Sequence, residues 1–366
     1  DSISDCYTSE YANIHRGIYK LSAKITEKFE NVRSKTSKYI NADNSKNIIF
    51  TKSATEAINL VASCFSEKYL NEGDEVILSY LEHHANIVPW QIAAAKKGFK
   101  IVVVNINKDG QLDYNDFIDK INSKTKFISI THMSNVLGTI VNLDIIKKHA
   151  KKFNIPFLID GCQYIAHSPV NVKELDCDFY VYSAHKLYGP SGVGILYMKG
   201  EWFDKFDPYQ GGGSMIESVD FDKTTYAKDY LKFEAGTPPI AEVIGLGASY
   251  DFMSQFDLND VFNYEKELYE YAFDKIKSFN DINVIGHSKN KGAILSFFMK
   301  DVHSNDLGLI LDQHDIAIRV GHHCAMPLLK KLNLSSAARA SFGIYNNFND
   351  IDRFIEAIKE TKNFFK

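Results

Sequence analysis

Long apolar runs, basic tracts and paired cysteines are all missing from this sequence, and each absence argues against a class of function. No segment of the 366 residues approaches the roughly 20 apolar residues of a membrane-spanning helix. The opening stretch DSISDCYTSEYANIHRG has no apolar core behind a basic start, so neither a membrane nor a secretory route is signalled. Basic residues run no further than pairs such as Lys96-Lys97 and Lys147-Lys148, and 42 Lys+Arg against 46 Asp+Glu give a net charge of −4. A duplex-binding surface needs a local excess of Lys and Arg, so this balance argues against a general nucleic-acid binder. The five cysteines (Cys6, Cys64, Cys162, Cys177 and Cys324) are odd in number and lack CxxC spacing. That pattern fits free thiols in a reducing compartment better than a disulfide framework. Internal repeats and low-complexity segments are absent as well.

What is present is ordinary globular composition, 45% hydrophobic and 24% charged, in a length that suggests about two domains. Short apolar runs alternate with helical periodicity through the first 200 residues. The expected strands are Ile48-Thr51, Glu75-Ser79, Lys100-Asn105, Lys126-Thr131, Pro156-Asp160, Asp178-Ser183 and Val193-Met198. Amphipathic segments at Ala54-Tyr69, Asn86-Lys97, Tyr114-Asn122 and Leu143-Phe153 lie between them. This alternation predicts an α/β fold: a mostly parallel sheet with helices on both faces. After Gly213 the pattern changes to helices around 240-256 and 258-279, strands Ile294-Phe298 and Ile316-Arg319, and a last helix near Asp350-Phe365. A smaller α+β domain is expected there.

Ligands of open α/β sheets bind beyond the carboxyl ends of the strands. Asp160 ends one strand; alone it reads as a cap or turn former. Lys186 follows another, in SAHKLYGPSG, between two strongly apolar runs. It either snorkels to solvent or is a desolvated amine able to form a Schiff base. The glycines at 189, 192 and 194 favour the second reading, because they let backbone approach a bulky group. A Schiff-base lysine with an Asp at a neighbouring strand end suggests pyridoxal 5′-phosphate, whose ring nitrogen pairs with the carboxylate. The helix start Ser53-Ala54-Thr55 offers free N–H groups to a phosphate, with Ser183 and His185 as further contacts. His83 is placed where an imidazole could stack on a ring. In RVGHHCAMP, Cys324 lies beside His322 and His323 and near Arg319, neighbours that favour thiolate. A zinc site there is set aside, since adjacent residues chelate poorly together. Arg339 is either a surface charge or a fork for a substrate carboxylate.

From about Ile14 onward these residues resemble a known family. The segments NIHRGIY, EHHANIVPWQ, THMSNVLGT, DFYVYSAHKLYGPSGVGILY, GGGSMI, FEAGTP, RVGHHCAMPL and ARASF are similar to those of cysteine desulfurases of the SUF iron–sulfur assembly type. That is a class V aminotransferase-like group within fold type I pyridoxal-phosphate enzymes. The short RVGHHCAMPL form resembles the SUF and selenocysteine-lyase branch. The resemblance implies a large cofactor-binding domain over 1-250 and a small domain over 251-366 carrying the reactive cysteine. It also implies that the first residues belong with the small domain and that an N-terminal segment is missing before them.

Position by position, it implies that Lys186 holds the cofactor and acts as base at the substrate α-carbon. Asp160 would pair with the ring nitrogen, Gln163 with the ring hydroxyl, and His83 would stack on the ring. Thr55, Ser183 and His185 would bind phosphate, joined by Thr237 from the other subunit of a homodimer. Asn135 and Arg339 would hold the substrate carboxylate, Cys324 would accept sulfur, and Arg319, His15 and Arg16 would line the same pocket. The implied reaction converts L-cysteine to L-alanine and passes sulfur to an acceptor protein of the SufE or SufU kind. The implied location is cytoplasmic or a plastid-like organelle. A selenocysteine lyase acting on L-selenocysteine and a non-catalytic cofactor-binding scaffold remain as alternatives. Where the family has DGAQ this chain has Cys162, a second thiol near the ring.

Overall fold

The computed structural model describes residues 1–364. The seven expected runs become β1 (Ile48–Thr51), β2 (Glu75–Ser79), β3 (Lys100–Val104), β4 (Thr125–Thr131), β5 (Phe157–Asp160), β6 (Phe179–Ser183) and β7 (Gly194–Met198). They form one sheet in the order β1-β7-β6-β5-β4-β2-β3. Only β7 runs against its neighbours, antiparallel to β1 and β6; the pairs from β6 to β3 are parallel. Because side chains alternate along a strand, each strand feeds two cores. Phe50, Ile128, Ile159, Tyr180 and Ile195 enter one, with the helices Lys20–Tyr39, Leu143–Lys152 and Ile240–Met253. Ile49, Phe127, Leu158, Val181 and Leu196 enter the other, with Ala54–Tyr69 and Val88–Lys97. The expected α/β architecture with helices on both faces is therefore present.

Beyond a short exposed hairpin, β8 (Ile216–Val219) with β9 (Thr224–Tyr226), a second sheet forms from β10 (Ile282–Ile285), β11 (Ile294–Met299), β12 (Arg319–Gly321) and β13 (Ala337–Ser341). It is antiparallel, in the order β10-β11-β13-β12. Helices Leu258–Ile276, Ser304–Asp312 and Phe348–Phe364 cover it and share its core. One expectation shifts here: Arg319 opens its strand instead of closing it, because the register with β13 begins at the Arg319–Arg339 pair. The expected last helix ends within the described residues at Phe364, and Phe365 lies outside them. The first residues pack onto Ile240–Met253, and Cys6, Ala12 and Ile14 are buried in the core shared with β1. Among the described residues no helix is long and apolar enough to cross a membrane.

Among the described residues, no further strand pairs with the outer edge of β1. A buried ion pair takes that place. Arg33 donates to the Ile48 carbonyl at 2.8 Å, and Glu234 accepts the Phe50 N–H at 2.7 Å. The two side chains are joined by bonds of 2.7 and 3.0 Å, and the guanidinium lies over Tyr230, 4.0 Å from its ring centre, and Phe50, 4.6 Å. Removing one partner of such a pair leaves an uncompensated buried charge. Arg33→Ala should therefore lower the unfolding free energy by about 3–5 kcal/mol. The double variant Arg33→Met with Glu234→Gln should recover a large part of that loss. Urea unfolding of the three proteins checks both, and an undiminished Arg33→Ala midpoint would contradict the assignment.

Candidate active site

Strand register decides which side chains meet at the carboxyl edge. Thr51, Gly194 and Ser183 lie side by side across β1, β7 and β6, and Thr131 stands beside Asp160 across β4 and β5. Beyond this row is a cavity of about 290 Å³. Thr55, His83, Asn135, Asp160, Gln163, Ser183, His185, Lys186, Arg319, Cys324 and Arg339 all line it. The other three expected residues, His15, Arg16 and Thr237, lie together in a separate cleft of about 150 Å³. Within one chain they do not reach the Lys186 cavity.

One end of the cavity suits an anion. The helix Ala54–Tyr69 starts there; Ser53 caps it by accepting the Glu56 N–H at 3.2 Å, and Ala54 N–H donates to Ser183 Oγ at 2.9 Å. The dipole and remaining N–H groups of that first turn attract negative charge. Thr55 and His185 are exposed at the same end; burial and then Lys186 hold the His185 ring below its ordinary value. The glycines after Lys186 work differently from the expectation. A Cβ on Gly194 would come within 2.1 Å of the Ser53 backbone, so this glycine lets β7 approach the helix start. Gly192 sits at φ +84° with nothing near it, which makes it a turn requirement.

At the other end, Lys186 closes the one-turn helix Ala184–Lys186 directly after β6 and is half-buried. Asp160 is buried at the end of β5, and its Oδ1 accepts the Cys162 N–H at 3.0 Å. Burial, then Asp160, pushes the Cys162 thiol well above its usual range. Behind this turn His132 stacks on Tyr164, ring centres 3.5 Å apart, with Nδ1 3.1 Å from the Tyr180 hydroxyl. Burial pulls His132 down to about 3, so it is neutral. The His83 Nδ1 accepts the Ala85 N–H at 3.0 Å, so its neutral ring carries the proton on Nε2. Burial, then Lys186, holds His83 below the ordinary imidazole range.

Cys324 sits on the turn between β12 and the short helix Met326–Lys331. His323 and Cys324 both adopt left-handed backbone, φ 53° and 56°, which costs non-glycine residues about 1 kcal/mol each. Hydrogen bonds hold the turn in place. His84 N–H donates to the Cys324 carbonyl at 2.7 Å, and Asn135 Nδ2 to the His323 carbonyl at 2.7 Å. His323 Nε2 donates to the Ala337 carbonyl at 3.0 Å. Burial, then Arg339, brings His323 down to about 4. Arg339 reaches the Asn135 carbonyl at 2.7 Å; burial and then Arg319 lower its pKa. Three buried polar atoms of this wall have no protein partner: Asn135 Oδ1, His323 Nδ1 and Arg339 Nε.

The profile described as Aminotransferase class-V matches residues 1–354. The chain belongs to this family. A cysteine desulfurase of Escherichia coli O8 (strain IAI1) is 42% identical over 360 residues, covering 98% of this chain and 88% of that one. The crystal structure of the Escherichia coli cysteine desulfurase CsdA superposes with a TM-score of 0.94 at 34% identity, covering 99% of this chain and 90% of the other. The apo cysteine desulfurase of Thermococcus onnurineus NA1 gives 0.94 and 34%, with 98% and 90% covered.

Enzymes of the class-V aminotransferase family use pyridoxal 5′-phosphate, and the cavity fits that group. It offers an amine, a carboxylate at a strand end, a helix N-terminus for a phosphate, and unpartnered polar atoms on the substrate side. Two neighbours of this class-V site escaped the sequence reading. His84 was visible only as the companion of His83, and its bonds to the Cys324 turn depend on tertiary contact. Nothing in the local pattern marks Glu82, yet it is fully buried, accepting from Ser79 Oγ at 2.5 Å and Asn86 Nδ2 at 2.8 Å. Burial drives its carboxyl up to about 8, hydrogen bonds from Ser79, Asn86 and Thr131 oppose the rise, and Asp160 adds to it.

Between the unfolded value near 4.5 and about 8 the folded state thus binds the extra proton, so this group's stabilisation fades as pH rises through that window. Glu82→Gln abolishes the titration. From pH 5 to pH 8 the variant should gain about 1–3 kcal/mol on the wild type. Urea unfolding at both values measures the difference; parallel behaviour of the two proteins would count against a neutral Glu82.

Proposed function

We propose that this chain is a cysteine desulfurase that converts L-cysteine to L-alanine and leaves the sulfur as a persulfide on Cys324. The reading is carried by one observation: Cys324 lines the same small cavity as Lys186 and Asp160, on a turn held by several hydrogen bonds. The 42% identity to proteins called cysteine desulfurases supports it. The reaction balances as thiol plus cysteine giving persulfide plus alanine, with no external oxidant or reductant.

Bound pyridoxal 5′-phosphate supplies the electron sink for the electron pair left at the substrate α-carbon. Lys186 would hold the cofactor, Asp160 its ring nitrogen and Gln163 its ring hydroxyl, with His83 stacked on the ring. Thr55, Ser183 and His185 would take the phosphate. Lys186 Nζ removes the α-proton and returns a proton to the substrate carbon skeleton. Arg339 and Asn135 orient the substrate carboxylate; the unpartnered Arg339 Nε is a donor suited to it. Arg319, the cross-strand neighbour of Arg339, adds positive charge at that wall. The Cys324 thiolate attacks the substrate sulfur as the carbon–sulfur bond breaks. His83 is the imidazole best suited to protonate the departing carbon side. It lines the cavity and keeps its proton on the nitrogen that the backbone does not use.

The finer reading is a homodimer of the SUF branch, with domains 1-250 and 251-366, that hands sulfur to an acceptor protein for iron–sulfur assembly. The short RVGHHCAMPL segment supports the branch. The second cleft supports the dimer: His15, Arg16 and Thr237 are grouped away from this chain's own cavity, as lent residues would be. Cys324→Ser should abolish alanine release from cysteine while keeping the absorbance of the bound cofactor, and undiminished alanine and sulfide in that variant would refute the proposal. Lys186→Ala should lose that cofactor band. Mixing Lys186→Ala with Thr237→Ala subunits should restore activity, since the mixed dimer contains one unaltered site. Failure of the mixture to exceed its parents would place Thr237 in its own subunit's site.

A further inference from the structure

Two imidazoles outside the cavity grip the Cys324 turn. Neither His84 nor His322 lines the 290 Å³ space that holds Lys186 and Cys324. His84 comes from the loop after β2 and binds the turn twice: its N–H donates to the Cys324 carbonyl at 2.7 Å, and its Nε2 accepts the Met326 N–H at 3.0 Å. His322 Nδ1 accepts the Cys324 N–H at 3.2 Å. A backbone N–H can only donate, so both ring nitrogens must present lone pairs. The two rings are 5.8 Å apart and 30° from parallel. Protonating either ring replaces an acceptor with a second N–H and breaks the bond. The turn needs such fastening, because His323 and Cys324 occupy left-handed backbone that side chains disfavour.

We propose that His84 is a positioning residue for Cys324: its neutral ring latches the 324–326 turn to the large sheet, and protonation releases the latch. This rests on reading Cys324 as the sulfur-accepting thiol. The groups around His84 are His83 on its own loop and His322 and Cys324 on the facing turn. Further out stand Lys330 and Lys331 at the end of Met326–Lys331, and Lys186, Arg319 and Asp160 across the cavity. Glu82, two positions back on the same loop, is buried and held neutral. Burial, then His322, holds the His84 ring below its ordinary value. The latch is closed at neutral pH and opens on acidification.

The holoenzyme provides the test through two readouts. One is the rate at which iodoacetamide labels Cys324, followed by peptide mass spectrometry; the other is kcat for alanine release across pH 5.5–8.5. His84→Ala should keep the cofactor absorbance, label Cys324 about fivefold faster and lose about fivefold in kcat, the scale of one hydrogen bond. His84→Gln keeps an acceptor that cannot titrate in this range. It should restore kcat at pH 8 and lack part of the acid-side fall that the wild type shows. Wild-type labelling and kcat in His84→Ala would overturn the proposal, as would an unchanged acid limb in His84→Gln. Should His84→Ala fail to fold, the His84→Gln profile decides alone. If the wild type releases no alanine, the functional reading fails, while the labelling rates still report on the latch.

Discussion

The buried pair of Arg33 and Glu234 stands where an eighth strand would otherwise have to pair. β1 is a sheet edge, and an open edge exposes unpaired N–H and C=O groups. Arg33 and Glu234 satisfy one of each, so β1 can be buried on both faces while remaining terminal. Its end then leads through Ser53 into the helix that faces the anion end of the cavity. Glu234 also lies three positions before Thr237, so the same carboxylate fixes the segment that forms the second cleft. Glu234 thus touches both the strand that leads to the cavity and the segment that lines the second cleft.

A second organising feature is neutrality. Glu82, His132 and His323 are all buried close to the cavity, and desolvation keeps each of them uncharged near neutral pH. Their hydrogen bonds hold loops in place without adding charge to the site. The remaining charges, on Lys186, Asp160, Arg319 and Arg339, can then act on a ligand with little competition from their surroundings. Polar groups of the wall left without partners fit the same logic, since a bound substrate would complete them.

Much of the large sheet could be read from the chain. β1, β2 and Ala54–Tyr69 fall on the expected residues, and the other five strands differ by one residue at an end. Apart from the edge strand β3, where only Val104 is buried, those strands are largely buried on both faces and read as continuous apolar runs, the strongest local signal available. β13 was invisible because Ala337–Ser341 has no β-branched residue; it is a strand only because β11 and β12 pair with it on either side. Lys186, Asp160, Thr55, Ser183, His185, His83, Cys324, Arg319 and Arg339 were legible from strand ends and local chemistry, Gln163 and Asn135 only through motif resemblance, and tertiary structure was needed to separate His15, Arg16 and Thr237 from the rest. His84 could not be singled out, because its contacts join segments more than 200 residues apart.

Cys162 gives the cavity a second sulfur with the opposite character to the one expected of Cys324. Its thiol is half-buried in the cavity lining beside a carboxylate that helps keep it protonated, so it is a poor nucleophile and a poor target for electrophiles. The chain thus contains its own internal standard. Any modification of Cys162 reports that the surroundings suppressing its thiol have changed, whereas modification confined to Cys324 reports chemistry in the intact fold. A single peptide map can therefore distinguish damage from turnover without a separate control protein.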